Sequence, residues 1–302
     1  MTPALAALAL LAQASAPAPA LDQLWRLQAG DEACDLFTRA ERALLDGAVA
    51  RARDDLVRTG ADPARLDAAR ARQDGAGAPD CDDAALSDLA EDHHARVADL
   101  AAYTELSFPG VHREWRVDRR PVRTARAGEP RWRVSQRDHT GQAWFGVFEQ
   151  DQDQGLAVAF NRQARPARAA LAFRDPATAA HPVDFTAGGL LAAPDGDPAA
   201  GWGAPAGART RATASGRLDA DQAAHLAPAG GAPARGFMFP DAALRALADL
   251  TPRESAAVEL YDRTGRVVER YWFEVGALRA ALAMQAIPLP EPEPAPDTAS
   301  AP

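Results

Sequence analysis

The densest run of cationic side chains lies between Arg113 and Arg137, with nine arginines against three acids. Within it Arg131, Arg133 and Arg137 alternate with Trp132, Val134 and Gln136. A β-strand sends successive side chains to opposite faces. A strand over 131–137 therefore gathers Arg131, Arg133, Ser135 and Arg137 on one face, and Arg116 joins them from a neighbouring strand. Guanidinium groups grip phosphates and carboxylates through paired N–H donors. This face is the expected ligand site, for an anionic envelope component or an acidic protein partner. Arg119, Arg120, Arg123 and Arg126 crowd the connection before the strand, while Trp115, Trp132 and Trp144 read as core. A competing reading is internal. Residues 21–112 hold ten arginines against nineteen acids, and the basic stretch docks on them.

Other reactive-looking groups are weaker. Glu91 and His94 make one Glu-x-x-His, but a di-iron bundle needs a second copy and further glutamates. His93 and His94 are adjacent and point apart on a helix, so they read as one core and one solvated histidine. Asp151-Gln152-Asp153-Gln154-Gly155 has glycine fifth where a calcium loop needs it sixth, so it reads as a hairpin turn. Gly201-Trp202-Gly203 lacks the preceding apolar strand of a dinucleotide loop. No Gly-x-Ser-x-Gly or His-Glu-x-x-His occurs. All 33 basic residues are arginine. The missing lysine excludes Schiff-base chemistry and the Walker A phosphate cradle. Neither a cofactor nor a metal is expected. A hydrolase assembled from His112, His139, His181 and Asp184 is the catalytic alternative, and a purely structural envelope protein is a third reading.

The formal charge of −9 disfavours a nucleic-acid or anionic-membrane binder. Residues 1–20 read as a signal peptide: an Ala/Leu run from Ala4 to Ala12, then small residues, with cleavage after Ala14. That run is too short to span a bilayer, and the mature chain is expected in the periplasm or outside the cell, with no transmembrane segment. Two cysteines in an oxidising compartment read as one disulfide, Cys34 to Cys81.

The elements that position these groups fall into an α+β chain. Residues 21–107 read as a helical domain. Apolar residues at helical spacing run from Ala33 to Leu56, a short helix follows Asp62-Pro63, and a third starts near Asp82 with Leu86, Leu89, Ala90 and Val97 on one face. Both cysteines then sit at helix starts brought side by side in a hairpin. Residues 108–287 read as an antiparallel β-rich domain. Its expected strands are Glu114–Val117, Arg131–Arg137, Gln142–Glu149, Leu156–Asn161, Ala170–Arg174, Ala257–Tyr261 and Val267–Phe273, with two short helices after Pro240 and Gly276. Residues 186–207 read as a loop, and 288–302 as a disordered Pro-rich tail.

The segment Cys34-Asp35-Leu36-Phe37 with Cys81, then Phe108-Pro109-Gly110 and Trp115, resembles uncharacterised exported proteins of GC-rich alphaproteobacteria. The stretch from Phe239-Pro240 through Phe273-Glu274-Val275-Gly276-Ala277-Leu278 is similar to invasion-associated locus B type periplasmic domains, in which a helix, a hairpin and a closing Ala/Leu-rich segment recur. Members of that family usually carry cysteines in the domain and this stretch has none, so no site residue is carried over. The expected function is a non-catalytic periplasmic binding or adaptor protein.

Overall fold

The computed structural model describes residues 20–77, 79–119, 132–150, 153–161, 165–179, 196–227, 235–252 and 254–287. Among these residues four helices come first: α1 Leu21–Cys34, α2 Arg39–Arg58, α3 Pro63–Asp74 and α4 Ala84–Ala101. Their starts follow from local chemistry. Asp62 accepts from the Ala64 amide at 2.9 Å with Pro63 in the first turn, and Asp83 accepts from the Ala85 amide at 2.9 Å.

The single helix expected from Asp31 to Thr59 is instead broken. Asp35 takes a left-handed conformation, φ 52°. The buried Asp31 carboxylate accepts from the Phe37 amide at 3.0 Å and from Arg42, which holds the chain in its turn. Thr38 and Glu41 then close a capping box on α2, with the Thr38 amide donating to Glu41 Oε2 at 2.8 Å. Cys34 is thus the last residue of α1. It still lies just ahead of α2, and the Cys34–Cys81 disulfide is present with Cα atoms 5.8 Å apart. Closing a loop of 47 positions restricts the unfolded chain by about 4 kcal/mol on the chain-entropy account.

The remainder is a sandwich of two antiparallel sheets. Seven strands pair in the order β1 Glu105–Pro109, β2 Glu114–Asp118, β3 Trp132–Arg137, β4 Ala143–Gln150, β5 Asp153–Phe160, β9 Arg235–Phe239 and β8 Gly216–Arg217. Four more pair as β11 Val267–Glu274, β10 Ser255–Tyr261, β6 Arg168–Arg174 and β7 Arg209–Thr213. Alternation turns Phe145, Val147, Leu156, Val158 and Phe237 of the first sheet toward Leu171, Val258, Leu260 and Phe273 of the second, making one core. Among the described residues three α-helices accompany the strands rather than two: α5 Ala220–Leu226, α6 Asp241–Ala248 and α7 Leu278–Ala283. Helix α5 packs over Trp144, Phe148, Ala157 and Ala159 on the outer side of the larger sheet.

Strand β1 begins at Glu105, ahead of residue 108, and β7, β8 and β9 were not expected. For two of them the sequence explains why: Arg209–Thr213 carries no apolar alternation, and β8 has only two residues. Part of the stretch expected as loop forms 3-10 turns, Pro198–Trp202 and Ala206–Ala208. The helices join the sandwich through an apolar contact. Leu44 belongs to the sandwich core, and Gly47 lets α2 approach α7 so closely that a Cβ there would sit 2.6 Å from Ala283. Asp54 of α2 accepts from the Ala277 amide at 3.2 Å, where Ala277 is itself left-handed, φ 64°. Among the described residues no helix is long and apolar enough to cross a membrane.

Candidate anion-binding faces

The register places Arg116 opposite Ser135 and Asp118 opposite Arg133, so β2 and β3 turn Arg116, Arg133, Ser135 and Arg137 to the outer face of the larger sheet. The three described arginines there differ in surroundings. Arg116 is 73% exposed and pairs with Glu114 at 2.5 Å. Arg133 is only 12% exposed, pairs with Asp118 at 2.6 Å and donates to the His225 carbonyl at the end of α5. Arg137 is exposed, donates to the Gly141 carbonyl at 3.0 Å and lies 5.3 Å over the Trp144 ring. Arg131, Arg120, Arg123 and Arg126 lie outside the described residues. Other arginines of the basic stretch are built into the sandwich. Arg113 pairs with Asp197, and Arg119 is buried and donates to the Ile287 carbonyl at 2.6 Å. Burial holds the Arg119 guanidinium below its ordinary pKa.

A second arginine cluster lies on the outer face of the smaller sheet. Glu259 of β10 is opposite Arg270 of β11 and Ala170 of β6, and Ala172 is opposite Arg211 of β7. The alanines give the long side chains room to converge on the Glu259 carboxylate, which is 0% exposed. Arg211 Nε donates to Oε2 at 2.9 Å, Arg270 Nη2 to Oε1 at 2.9 Å, and Arg209 Nη1 lies 3.9 Å from Oε1. The Tyr261 hydroxyl donates to Oε2 at 2.5 Å, and Arg168 stacks 4.9 Å over the Tyr261 ring. Arg209 and Arg270 also lie over Trp272, at 5.4 and 5.9 Å.

The electrostatics follow from this crowding. Burial pushes the Glu259 carboxyl up, but the Tyr261 and Arg211 hydrogen bonds and the arginine charges outweigh it and leave the group below its ordinary value. Arg211 is raised by its bond to Glu259, whereas Arg209 is lowered by burial and by the charge of Arg270. Three guanidiniums thus surround one carboxylate, a fourth lies over its tyrosine partner, and Arg211 remains 46% exposed.

A third arrangement sits where the hairpin of β3 and β4 meets the 3-10 turn after Asp197. Asp197 is 0% exposed. Its Oδ1 accepts from Arg113 and from the Ala199 amide at 3.0 Å. Its Oδ2 lies 2.9 Å from His139 Nδ1, off the line of a well-aligned hydrogen bond, so this buried oxygen has no aligned donor. The turn carrying His139 is fixed by Asp138, which accepts from the Gln142 and Ala143 amides at 2.7 Å. His112 is exposed on the segment before β2, and His181 and Asp184 lie outside the described residues.

The histidines of α4 divide as expected. His93 is buried with Nε2 2.9 Å from the Glu41 carbonyl, and burial holds it below its ordinary pKa. His94 is partly exposed and meets Glu41 Oε1 at 2.6 Å. Burial raises Glu41, yet the His94 and Thr38 contacts bring it down to about 2.

Sequence spacing located the first face but missed the second, whose arginines come from residues 168, 209, 211 and 270. Two signals were present. Arg209-Thr210-Arg211 has the same alternation as Arg131–Arg137, and Glu259 interrupts an otherwise apolar strand, where a buried acid requires a cationic partner. No protein-family model matches the chain, and neither a curated protein nor a solved structure shows significant similarity to it.

Proposed function

We propose that the chain is an exported, non-catalytic binding or adaptor protein of the cell envelope that holds an anionic ligand on the outer face of its smaller sheet. On this reading it is periplasmic or secreted and groups with the exported alphaproteobacterial proteins it resembles. The disulfide supports the compartment, because such bonds persist outside the reducing cytosol. One observation carries the choice of face: Arg211, Arg270 and Arg209 share the single carboxylate of Glu259, with Arg168 beside them. On the larger sheet Arg116 and Arg133 each have an acid of their own. The test is elution from phosphocellulose under a salt gradient. Arg211→Ala and Arg168→Ala should elute at distinctly lower salt than the wild type, and Arg116→Ala close to it. Equal elution of the wild type and the Arg211 and Arg168 variants would remove the reading.

The paired Asp197 and His139 favour a hydrolase as the second reading. The Asp197 carboxylate 2.9 Å from Nδ1 would stabilise the imidazolium that forms when Nε2 takes a proton from water as its oxygen adds to an ester carbonyl, and Nε2 returns that proton to the leaving alkoxide. Hydrolysis of 4-nitrophenyl acetate should fall at least about tenfold in His139→Gln and stay level in His112→Gln. Equal rates for all three proteins would discard it.

A further inference from the structure

Resting on the anion-binding reading above, we infer that the smaller-sheet face takes a polyvalent phosphate group, a phosphomonoester or diphosphate, in preference to a monocarboxylate. Three guanidiniums meet within 4 Å of one carboxylate, and a fourth stands on the tyrosine that bonds to it. After Glu259 is counted, three positive charges remain in this small volume. A monocarboxylate answers one of them. A phosphate with two or more charges answers two or three, and its tetrahedral oxygens can accept paired bonds from more than one guanidinium fork.

The surroundings fit a multiply charged anion in a second way. Arg209 is 15% exposed and Arg270 is 29% exposed, so their charges are poorly screened by water and attract a counter-ion more strongly than surface arginines do. Trp272 lies beneath both guanidiniums and is itself buried among Ala172, Ala199, Ala200 and Ala257. That backing holds the two forks in place before a ligand arrives, which lowers the ordering cost of binding. The second phosphate ionisation lies near pH 6, so a phosphomonoester loses charge there and a carboxylate does not.

The same chemistry is carried by a free diphosphate and by a lipid with a phosphomonoester headgroup, and the experiment separates them. Isothermal titration calorimetry of the full chain uses inorganic pyrophosphate, inorganic phosphate and acetate. Cosedimentation uses phosphatidylcholine vesicles containing phosphatidate or, as a phosphodiester control, phosphatidylglycerol. Pyrophosphate should bind at least ten times more tightly than acetate. Arg211→Ala should weaken it about tenfold, and inorganic phosphate should bind less well at pH 5 than at pH 7.5. Cosedimentation with phosphatidate but not phosphatidylglycerol vesicles supports the inference and assigns the phosphate to a headgroup. Pyrophosphate binding without cosedimentation supports it and assigns a free ligand. Equal affinity for pyrophosphate and acetate, both lost in Arg211→Ala, overturns the phosphate preference and leaves the anion-binding reading standing. No binding of any probe overturns both.

Discussion

The two sheets of the sandwich each turn a set of arginines outward, and the sets are neutralised differently. On the larger sheet Glu114 and Asp118 sit on the strand beside β3 and pair with Arg116 and Arg133. Helix α5 closes over part of that face. On the smaller sheet the only acid in contact with Arg209, Arg211 and Arg270 among the described pairs is Glu259. Alternation decides which way a side chain points. The charge of a face is decided by which strands become neighbours, and sequence period does not contain that information.

The sharpest way to break the comparison is to remove the shared acid. Glu259→Gln leaves three arginines around a neutral amide in a site where the carboxylate is fully buried. The expected loss is about 3 kcal/mol, the scale for breaking one partner of a buried ion pair. Glu114→Gln, in an exposed pair, should cost less than about 1 kcal/mol. Urea unfolding measures both, and equal midpoints would show that the two faces are energetically alike. The pH dependence sharpens the test. The Glu259 carboxyl is held below its ordinary 4.5 in the folded chain. Below pH 4.5 the unfolded chain therefore takes up a proton that the folded chain does not. The stabilisation is complete above that pH and is lost as pH falls through the folded value. The gap between wild type and Glu259→Gln should be widest at neutral pH and narrow from pH 4.5 downward. A gap that stays constant would mean the carboxylate charge is not what the arginines respond to.

What was legible in the sequence follows the same division. Local rules located Asp62 as a helix start, a further start near Asp82, one residue ahead of the Asp83 cap, and the strands that carry Arg133, Phe145 and Val258. The α+β class and the Cys34–Cys81 bridge came with them. The break at Asp35 was less visible, since apolar spacing continues across it, although Thr38-x-x-Glu41 is a capping-box signature. The pairing of β6 with both β7 and β10 could not be read. It brings residue 172 beside residues 211 and 257, separations at which no periodicity operates. Asp197 was hidden for the same reason. Its partners are Arg113 and His139, and it lies within a Gly/Ala/Pro-rich stretch that reads as loop.

The smallest expected effect concerns Arg137, an exposed arginine at the end of β3. Its guanidinium lies over the Trp144 ring and donates to the Gly141 carbonyl. Both contacts fasten the hairpin whose turn carries His139. Arg137→Ala should therefore cost about 0.5–1 kcal/mol, the range of an exposed cation–π contact, and leave pyrophosphate affinity unchanged. Arg137→Lys keeps the charge but not the planar stacking or the fork, so it should recover only part of the loss. If Arg137→Ala instead weakened pyrophosphate binding as much as Arg211→Ala does, the larger sheet would be the anion-binding face. The count of counter-ions would then be the wrong criterion for choosing between them.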